Sequence, residues 1–286
     1  MEDRARRVLF VIPIGFMGLF ALCPLLIMVM VSFWRREGFE TVPGFSFVAY
    51  AEFLGGVRTT VLMRSIVTAL IGTTISLIIV YPIAYVLARF SRPGFVRMVM
   101  ILFTVPFLIS YIIRNFAWAF ILGRTGPVNQ FLIMTGITEG PVDWLLYSNF
   151  SVYVGLVGSY MPFMLFPLWL VLSGIDKRLL EASYLLGATP LQTFLRVTLP
   201  LSLPGIFAAA IFGLVGILGE SAVSLILGGA GYELMGNTIT SSMNVLNFPL
   251  AAAMSTITVA VMVLLLIVWY STVDVRAFLG QLVGRA

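Results

Sequence analysis

Six long, charge-poor stretches constrain the fold of this chain more than any other feature of its 286-residue sequence. Each exceeds the roughly 20 residues that an α-helix needs to cross a bilayer, where a helix satisfies its own backbone hydrogen bonds. Of all residues, 60% are hydrophobic and 10% are charged, whereas a soluble domain carries about 25% charged residues. The sequence therefore predicts an all-α polytopic membrane protein with a single domain. The predicted spans are 8–34, 65–88, 98–123, 148–175, 204–227 and 250–272.

The first run, from Val8 to Trp34, is 27 residues long. The apolar region of a signal peptide has about 7–15 residues, and no obvious small-residue cleavage site follows this run. We therefore expect it to remain in the protein as a span.

Basic residues are distributed unequally between the segments that connect the spans. If the N-terminus is cytoplasmic, the inner segments hold eleven basic residues and the outer segments five. The inner ones are Arg4, Arg6, Arg7, Arg89, Arg92, Arg97, Lys177, Arg178, Arg196, Arg276 and Arg285. Because cytoplasmic loops carry the excess of Lys and Arg, both termini are predicted to be cytoplasmic. The net charge of +5 is thus explained by the basic residues that orient the chain in the membrane. No nucleic-acid binding is expected.

The composition removes several kinds of chemistry from this chain. It contains no His and a single Cys, Cys23, so imidazole bases, His-ligated metals and internal disulfides are excluded. The Gly-x4-Gly-Lys-Ser/Thr pattern that cradles nucleotide phosphates is absent, and the single Lys is Lys177. Ser221, beside the intramembrane carboxylate of Glu220, has no Lys or His base near it in sequence. We predict a non-enzymatic chain without a metal or cofactor of its own.

A segment of mixed charged and apolar residues, 176–203, lies between the fourth and fifth predicted spans. Its first half has apolar residues at helical spacing and ends at Gly187, a natural helix stop. A second short helix can start after Thr189, its N-cap, and Pro200 and Pro204 are expected to break the chain before the next span. Two short cytoplasmic helices of this kind form a docking element for the groove of a partner.

The same segment carries a motif. It reads Glu181-Ala182-Ser183, then Gly187 after three residues, then Val197-Thr198-Leu199-Pro200 after nine. This resembles the EAA motif of ABC importer permeases, which has Glu-Ala-Ala, Gly and Ile-x-Leu-Pro at those spacings; Ser183 and Val197 are mild departures. The resemblance implies the transmembrane domain of a type I importer, whose coupling helices in this segment dock on the ATPase. The coupling residues that it implies are Glu181, Ala182, Ser183, Gly187, Leu199 and Pro200.

Shorter motifs resemble the polyamine-type (spermidine/putrescine) branch of these permeases. They are Pro106-Phe107, Tyr111-Ile-Ile-Arg114-Asn-Phe-Ala-Trp118, Gly219-Glu220, Leu227-Gly228-Gly229 and Met235-Gly236-Asn237. The resemblance implies a multi-pass subunit of the cell (inner) membrane. Its implied partners are an ABC ATPase dimer that carries ATP and Mg²⁺, a second permease and a substrate-binding protein on the outer face. The second permease is expected to be a different chain, with an identical copy as the alternative.

Two charged residues fall inside predicted spans, where an ionisable group costs about 2.5–3.5 kcal/mol unless it faces protein or water. Glu220 follows Gly213, Gly216 and Gly219, a ridge of small residues that permits close helix packing. We predict either that Glu220 lines the substrate pathway and meets a cationic solute, or that it pairs with Arg114. Arg114 itself could snorkel outward, bind a carboxylate or pair with Glu220, and the pairing is favoured.

Aromatic residues accompany Arg114 in the third predicted span. Tyr111 and Trp118 are candidates to stack on a cationic solute in the pathway, and an interfacial aromatic belt is the favoured alternative. The residue types do not decide between an amine-bearing and an acidic solute.

A self-sufficient secondary transporter or channel for a small polar solute is the alternative to an importer subunit. No inverted repeat of broken helices relates residues 1–140 to 141–286, which argues against it. The outer segments are also short for solute capture, which favours delivery by a separate binding protein. The sequence therefore favours half of an ATP-driven translocation pathway.

Overall fold

A computed structural model of the protein describes residues 2–272, except for the side chains of residues 2–14, 106, 107 and 270–272. The helices of this part are α1 (Glu2–Val31), α2 (Val48–Leu54), α3 (Arg58–Arg89), α4 (Pro93–Leu108), α5 (Tyr111–Leu122), α6 (Pro127–Met134), α7 (Asn149–Gly174), α8 (Lys177–Leu185), α9 (Pro190–Thr193), α10 (Leu199–Leu218), α11 (Ala222–Leu227), α12 (Met235–Asn244) and α13 (Phe248–Thr272). Two short strands, β1 (Arg35–Glu37) and β2 (Glu40–Val42), pair as an antiparallel hairpin. The all-α prediction is therefore confirmed apart from this hairpin.

Several of these helices are suited to a membrane. By length and apolar composition, four helical stretches of the described residues can cross one: Arg58–Arg89, Asp143–Gly174, Pro190–Leu218 and Phe248–Trp269. Shorter apolar helices cover Gly15–Val31 and Pro93–Val105. The count of six spans and the cytoplasmic termini stay predictions. Part of the basis for the orientation, the side chains of Arg4, Arg6, Arg7, Arg276 and Arg285, lies outside the described residues.

Two of the predicted spans are interrupted in the structure. The run 98–123 is divided between α4 and α5, because Ile109 and Ser110 have extended backbone with ψ angles of 135° and 128°. The run 204–227 is divided between α10 and α11 by residues 219–221. Hydropathy measures how apolar a run of residues is. It does not show where the backbone conformation changes from helical to extended within that run. The prediction of continuous helices is corrected at both places.

The prediction that Pro200 and Pro204 break the chain before the fifth span is wrong. The chain stays helical from the start of α9 to the end of α10, because a π-helical turn at Phe194–Thr198 joins the two helices. In this wider turn the N–H of Leu199 donates to the carbonyl of Phe194, which leaves room for the Pro200 ring beside the preceding turn. The second half of the docking segment, from Pro190, is therefore continuous with the helix of the fifth predicted span.

Two compact units make up the described chain. The first comprises the residues up to Leu62 together with Thr238–Leu264. Its hairpin turns at Gly38, whose φ of +65° is a conformation that glycine adopts without strain. The guanidinium of Arg36 donates to the carbonyl of Val245 at 2.9 Å, and this bond fixes the hairpin to the chain that follows α12.

The second unit comprises Met63–Asn237 and the described chain from Leu265 onward. Its core lies between α3, α7 and α10, where buried apolar side chains form two clusters. One cluster contains Val80, Ala84, Leu87, Met164, Leu165, Leu168, Leu172, Ile175 and Ala209. The other contains Ala69, Val152, Leu156, Leu214, Ile217, Leu218, Val223 and Leu227. The second cluster includes side chains of α11, so it holds this short helix in place after the break.

The predicted glycine ridge lets α10 approach α7 closely. A Cβ at Gly216 would overlap the ring of Tyr160, and a Cβ at Gly213 would lie 3.0 Å from the sulfur of Met164. Gly219 differs, because the nearest atom to its Cβ position is a carbonyl of its own helix at 3.6 Å. The prediction of close packing is confirmed for the first two glycines of the ridge.

Replacing Gly216 with Ala is expected to lower the thermal midpoint of the detergent-solubilised protein by roughly 5 °C. The added methyl group pushes the Tyr160 ring off α10, and overpacking of this kind costs about 1–3 kcal/mol. Gly219→Ala is the matched control, because its added methyl group would lie at an ordinary van der Waals distance from the nearest atom. Its thermal midpoint should stay within about 2 °C of the wild-type value. Equal midpoints for the two variants would contradict the packing described here.

Candidate functional site

The break between α10 and α11 contains a buried acidic residue. Glu220 is 2% exposed, and its N–H donates to the carbonyl of Ile217 at 3.2 Å as α10 ends. A buried carboxylate has only acceptor oxygens and is stable in an apolar interior where donors surround it. The hydrogen-bond partners of the Glu220 side chain therefore determine which ligand could bind at the break.

Four donors converge on the Glu220 carboxylate. The Tyr111 hydroxyl donates to Oε1, and the Tyr160 hydroxyl donates to Oε2 at 2.7 Å. The main-chain N–H groups of Ala222 and Val223 donate to Oε1 at 2.9 Å and 3.0 Å. These two amides are the first of α11, so the side chain caps the helix that follows it. This competition for the chain's own N–H groups is the physical reason why α10 does not continue past Leu218.

Each of the two tyrosines is placed by a different element. Tyr111 is the first residue of α5, directly after the extended residues 109 and 110, so its hydroxyl joins the break in the third predicted span to the break in the fifth. Tyr160 lies in the middle of α7, with its ring against Gly216 of α10. The carboxylate thus links α5 and α7 to the start of α11.

The start of α12 closes the other side of the break. The N–H of Met235 donates to Oγ of Ser65 at 2.8 Å, which ties this helix to α3. At the next position, a Cβ at Gly236 would overlap the carbonyl of Glu220. A residue with a side chain could not approach the break in this way, so the Met235-Gly236-Asn237 motif has a packing role here.

The remaining predicted pathway residues lie on α5. Arg114 is within electrostatic range of the Tyr160 hydroxyl, and its pairing with Glu220 stays a prediction. Trp118 is half-buried, and its Nε1 would be 3.0 Å from a Cβ at Gly158 of α7. The structure thus brings Tyr111 and Glu220 into direct contact and packs Trp118 on α7.

The predicted docking segment has the expected start and stop signals. Gly187 has a φ of +82°; its N–H and that of the next residue donate to the carbonyls of Tyr184 and Ser183 at 2.9 Å and 3.1 Å. These are the two bonds of a Schellman C-cap. Thr189 then caps α9 through a reciprocal pair of bonds with Gln192. The stop at Gly187 and the N-cap at Thr189 are both confirmed.

A hydrogen bond between side chains fastens α8 to the helix that follows. Oγ of Ser183 and Oγ1 of Thr193 are 2.9 Å apart, and Thr193 is buried. Ser183 occupies the position where the EAA pattern has Ala, so this departure supplies a bond that Ala could not make. Leu199 and Pro200 begin α10, which continues the same helix. The docking segment is therefore connected to α10 through both its backbone and this side-chain bond.

Several leucines of the docking segment are exposed, and we call the three most exposed of them the leucine patch. Leu185 and Leu186 are each 89% exposed, and Leu191 is 66% exposed. Glu181 and Ala182 of the motif are exposed beside them. Apolar side chains that are exposed together on a surface mark an interaction site.

Comparison with known proteins identifies the family. A family model described as "Binding-protein-dependent transport system inner membrane component" matches residues 80–277, well over half of the chain. The chain belongs to this family. It is therefore a permease subunit of a binding-protein-dependent importer in the inner membrane, as the EAA resemblance implied.

Several curated relatives of this permease are spermidine/putrescine permeases. The spermidine/putrescine transport system permease protein PotB of Salmonella typhimurium (strain SL1344) is 34% identical over 271 residues, which cover 93% of each chain. PotB of Escherichia coli (strain K12) is 35% identical over 260 residues, 90% of this chain and 94% of that protein. The predicted resemblance to the polyamine-type branch is confirmed by these similarities.

The fold of the permease also matches solved structures. One is a bacterial alginate ABC transporter in complex with an alginate pentasaccharide-bound periplasmic protein. Its matching chain has a TM-score of 0.67 and 17% identity, with coverage of 93% of this permease and 92% of that chain. At this identity the likeness concerns the fold alone, and it confirms the predicted transmembrane fold of an ABC importer.

Two features of the permease were missed by sequence reasoning. Tyr160 completes the Glu220 cluster, but α7 is apolar on all sides and no charge marks this position. Thr193 holds Ser183, and nothing in its spacing distinguishes it from other polar residues of the segment. A tyrosine flanked by Gly158 and Pro162 in a predicted span was the available signal for the first feature.

Proposed function

We propose that this permease forms half of the translocation pathway for a polyamine or another small amine-bearing solute in an ATP-driven importer. Its partners in this proposal are an ABC ATPase dimer, a second and different permease chain, and a substrate-binding protein that delivers the solute on the outer face. ATP and Mg²⁺ bind to the ATPase, and the permease chain itself has no cofactor.

The Glu220 cluster is the observation that carries the choice of solute. A carboxylate held by tyrosine hydroxyls provides acceptor oxygens and aromatic faces, and both are groups that recognise ammonium ions. Tyr111 is 37% exposed, so one wall of the cluster reaches an accessible surface while Glu220 stays buried. The similarity to two spermidine/putrescine permeases supports an amine-bearing solute over an acidic one.

An ammonium group competes with the present donors for the carboxylate. In this proposal the entering solute replaces the Tyr111 hydroxyl on Oε1, so the two breaks lose the bond that joins them. Opening of the pathway at α5 then follows from solute binding. The predicted bond between Arg114 and Glu220 would compete with the solute in the same way.

The leucine patch supports coupling to the ATPase. Its side chains are exposed in this chain, whereas an apolar patch is stable when a partner groove covers it. Glu181, Ala182, Ser183 and Gly187 belong to the same docking segment, and Leu199 and Pro200 lead from it into α10. Movement of the docked segment would therefore be passed directly to the helix that ends at the Glu220 break.

Reconstitution tests this function. The permease is incorporated into liposomes with its second permease, the ATPase and the binding protein, and uptake of radiolabelled spermidine is measured with and without ATP. We expect ATP-dependent accumulation that an excess of putrescine inhibits and a dicarboxylate does not. ATP-independent uptake by the permease alone would favour the secondary transporter or channel, and uptake of the dicarboxylate instead of spermidine would contradict the assignment of an amine.

A further inference from the structure

One buried polar side chain near the Glu220 cluster has no hydrogen-bond partner. Asn115 of α5 is 0% exposed, and neither its Nδ2 nor its Oδ1 is bonded to any group in the described part of the chain. Buried side-chain amides are nearly always paired, because an unpaired donor or acceptor loses its bonds to water without replacement. Asn115 is therefore a buried amide whose hydrogen-bonding capacity is left for a group from outside this chain, a ligand or a water molecule.

The helical spacing of α5 places Asn115 beside the cluster. Tyr111, Asn115 and Trp118 stand at positions i, i+4 and i+7, which share one face of a helix. On this face Tyr111 bonds the Glu220 carboxylate and Trp118 packs against Gly158 of α7. Asn115 thus lies between these two contacts, in the interface where α5, α7 and α11 pack against one another.

A second unpaired polar group lies on the facing surface of α7. Ser159 is 2% exposed, and its Oγ has no hydrogen-bond partner among the described residues. Gly155, Gly158 and Ser159 share one face of α7; Gly155 packs against Leu227 of α11, and Gly158 packs against Trp118. Ser159 therefore borders the same interface as Asn115.

We propose that Asn115 and Ser159 bind an ammonium group of the translocated solute together with Glu220. A primary ammonium has three N–H donors, and the Glu220 carboxylate, Asn115 Oδ1 and Ser159 Oγ offer three acceptors from three elements. The Asn115 Nδ2 donor is then satisfied by the Ser159 hydroxyl, whose oxygen accepts more than one hydrogen bond. This site rests on the proposed function, since it takes the solute assigned there.

The fold gives this interface a means of opening. The extended residues 109 and 110 separate α5 from α4, so α5 is a segment of 12 residues that can move without bending a longer helix. Its bond to Glu220 through Tyr111 is the contact that an ammonium group replaces. Release of Tyr111 lets α5 shift, and Asn115 then meets the solute in the space beside Ser159 and Glu220.

Asn115→Leu in the reconstituted importer tests the site. Leu has the same branched arrangement of side-chain heavy atoms and no polar atoms, so the variant removes two unpaired groups from the interior. We expect its thermal midpoint to equal or exceed that of the wild type, while the spermidine concentration for half-maximal uptake rises at least 10-fold. Ser159→Ala is expected to raise that concentration about 3-fold, and Asn115→Thr, which keeps an acceptor oxygen, is expected to lie between wild type and Asn115→Leu.

Asn129→Leu is the matched control. Asn129 is also 0% exposed, but its amide bonds the Gly123 carbonyl at 3.0 Å and both polar backbone atoms of Val142 at 2.7 Å and 3.4 Å. Its replacement should lower the thermal midpoint and leave the half-maximal concentration of the folded importer unchanged. The contrast separates a buried amide that stabilises the fold from one that binds solute.

An unchanged half-maximal concentration in Asn115→Leu would overturn the proposal and indicate a bridging water only. If Asn115→Leu does not accumulate in membranes, Ser159→Ala tests the site instead, because it removes only a hydroxyl without a partner. An unchanged spermidine concentration for half-maximal uptake in Ser159→Ala would then overturn the proposed site. Either result concerns the ammonium site alone. The proposed function still holds as long as the wild-type importer takes up spermidine in the presence of ATP. Loss of that wild-type uptake contradicts the proposed function instead.

Discussion

Replacing Glu220 with Gln is expected to lower spermidine uptake about 100-fold, because the variant loses the negative charge that holds an ammonium group in the pathway. Removing one partner of a buried charge pair costs about 2–5 kcal/mol, and 2.8 kcal/mol corresponds to about 100-fold. The Gln amide oxygen can still accept from the N–H groups of Ala222 and Val223. The cap of α11 therefore remains, and the loss of uptake reports the charge.

Glu233→Gln is the matched control for this substitution. Glu233 is exposed in the loop that leads to α12, and uptake by this variant should equal that of the wild type. Tyr160→Phe keeps the charge and removes the 2.7 Å bond to Oε2, so we expect an intermediate decrease of about 5-fold to 10-fold. Wild-type uptake by a normally assembled Glu220→Gln importer would show that the carboxylate has a structural role alone.

The double substitution of Leu185 and Leu186 with Ser is expected to reduce co-purification of the ATPase at least 100-fold and to abolish spermidine-stimulated ATP hydrolysis. Both side chains are 89% exposed in the permease, so they contribute little to its own core. Covering a leucine at an interface contributes about 1.5–3 kcal/mol, and two of them together account for this loss of affinity. Pull-down of the ATPase and a coupled ATP hydrolysis assay measure the effect.

The control for the leucine patch is Met134→Ser. Met134 is 86% exposed at the end of α6, in a segment predicted to lie on the outer side. Its replacement removes a similar exposed apolar group and should leave ATPase binding unchanged. Both variants should also keep the wild-type thermal midpoint, because neither loses a buried contact. ATPase binding that survives the double substitution would refute docking through the leucine patch.

The docking segment could be predicted from sequence because its signals are local. Gly187 adopts a positive φ, and Thr189 caps the next helix with a side chain three residues from its partner. Such interactions involve neighbours along the chain, so their spacing reveals them. The glycine ridge was predicted for a similar reason, since Gly213 and Gly216 recur on one face of one helix.

The tyrosine partners of Glu220 lie in distant parts of the chain, and the sequence did not reveal them. The Glu220 cluster combines Tyr111, Tyr160 and the start of α11, which lie up to 109 residues from the carboxylate in sequence. Hydropathy treats the runs on both sides of each break as uniformly apolar. At Pro200 the sequence predicted a break where the helix continues. This difference has a local cause, because the π-helical turn before Pro200 relieves the strain that a proline causes in a regular α-helix.

The continuity from α9 to α10 makes the second half of the docking segment and the Glu220 break the two ends of a single rod. Its 29 residues correspond to a length of roughly 40 Å at helical rise. A swing of about 5° at the docked end would carry the other end through about 4 Å, more than the length of the hydrogen bonds that hold the carboxylate. Force applied at α9 would therefore reach Glu220 as a displacement, because the helix is unbroken from Pro190 to Leu218.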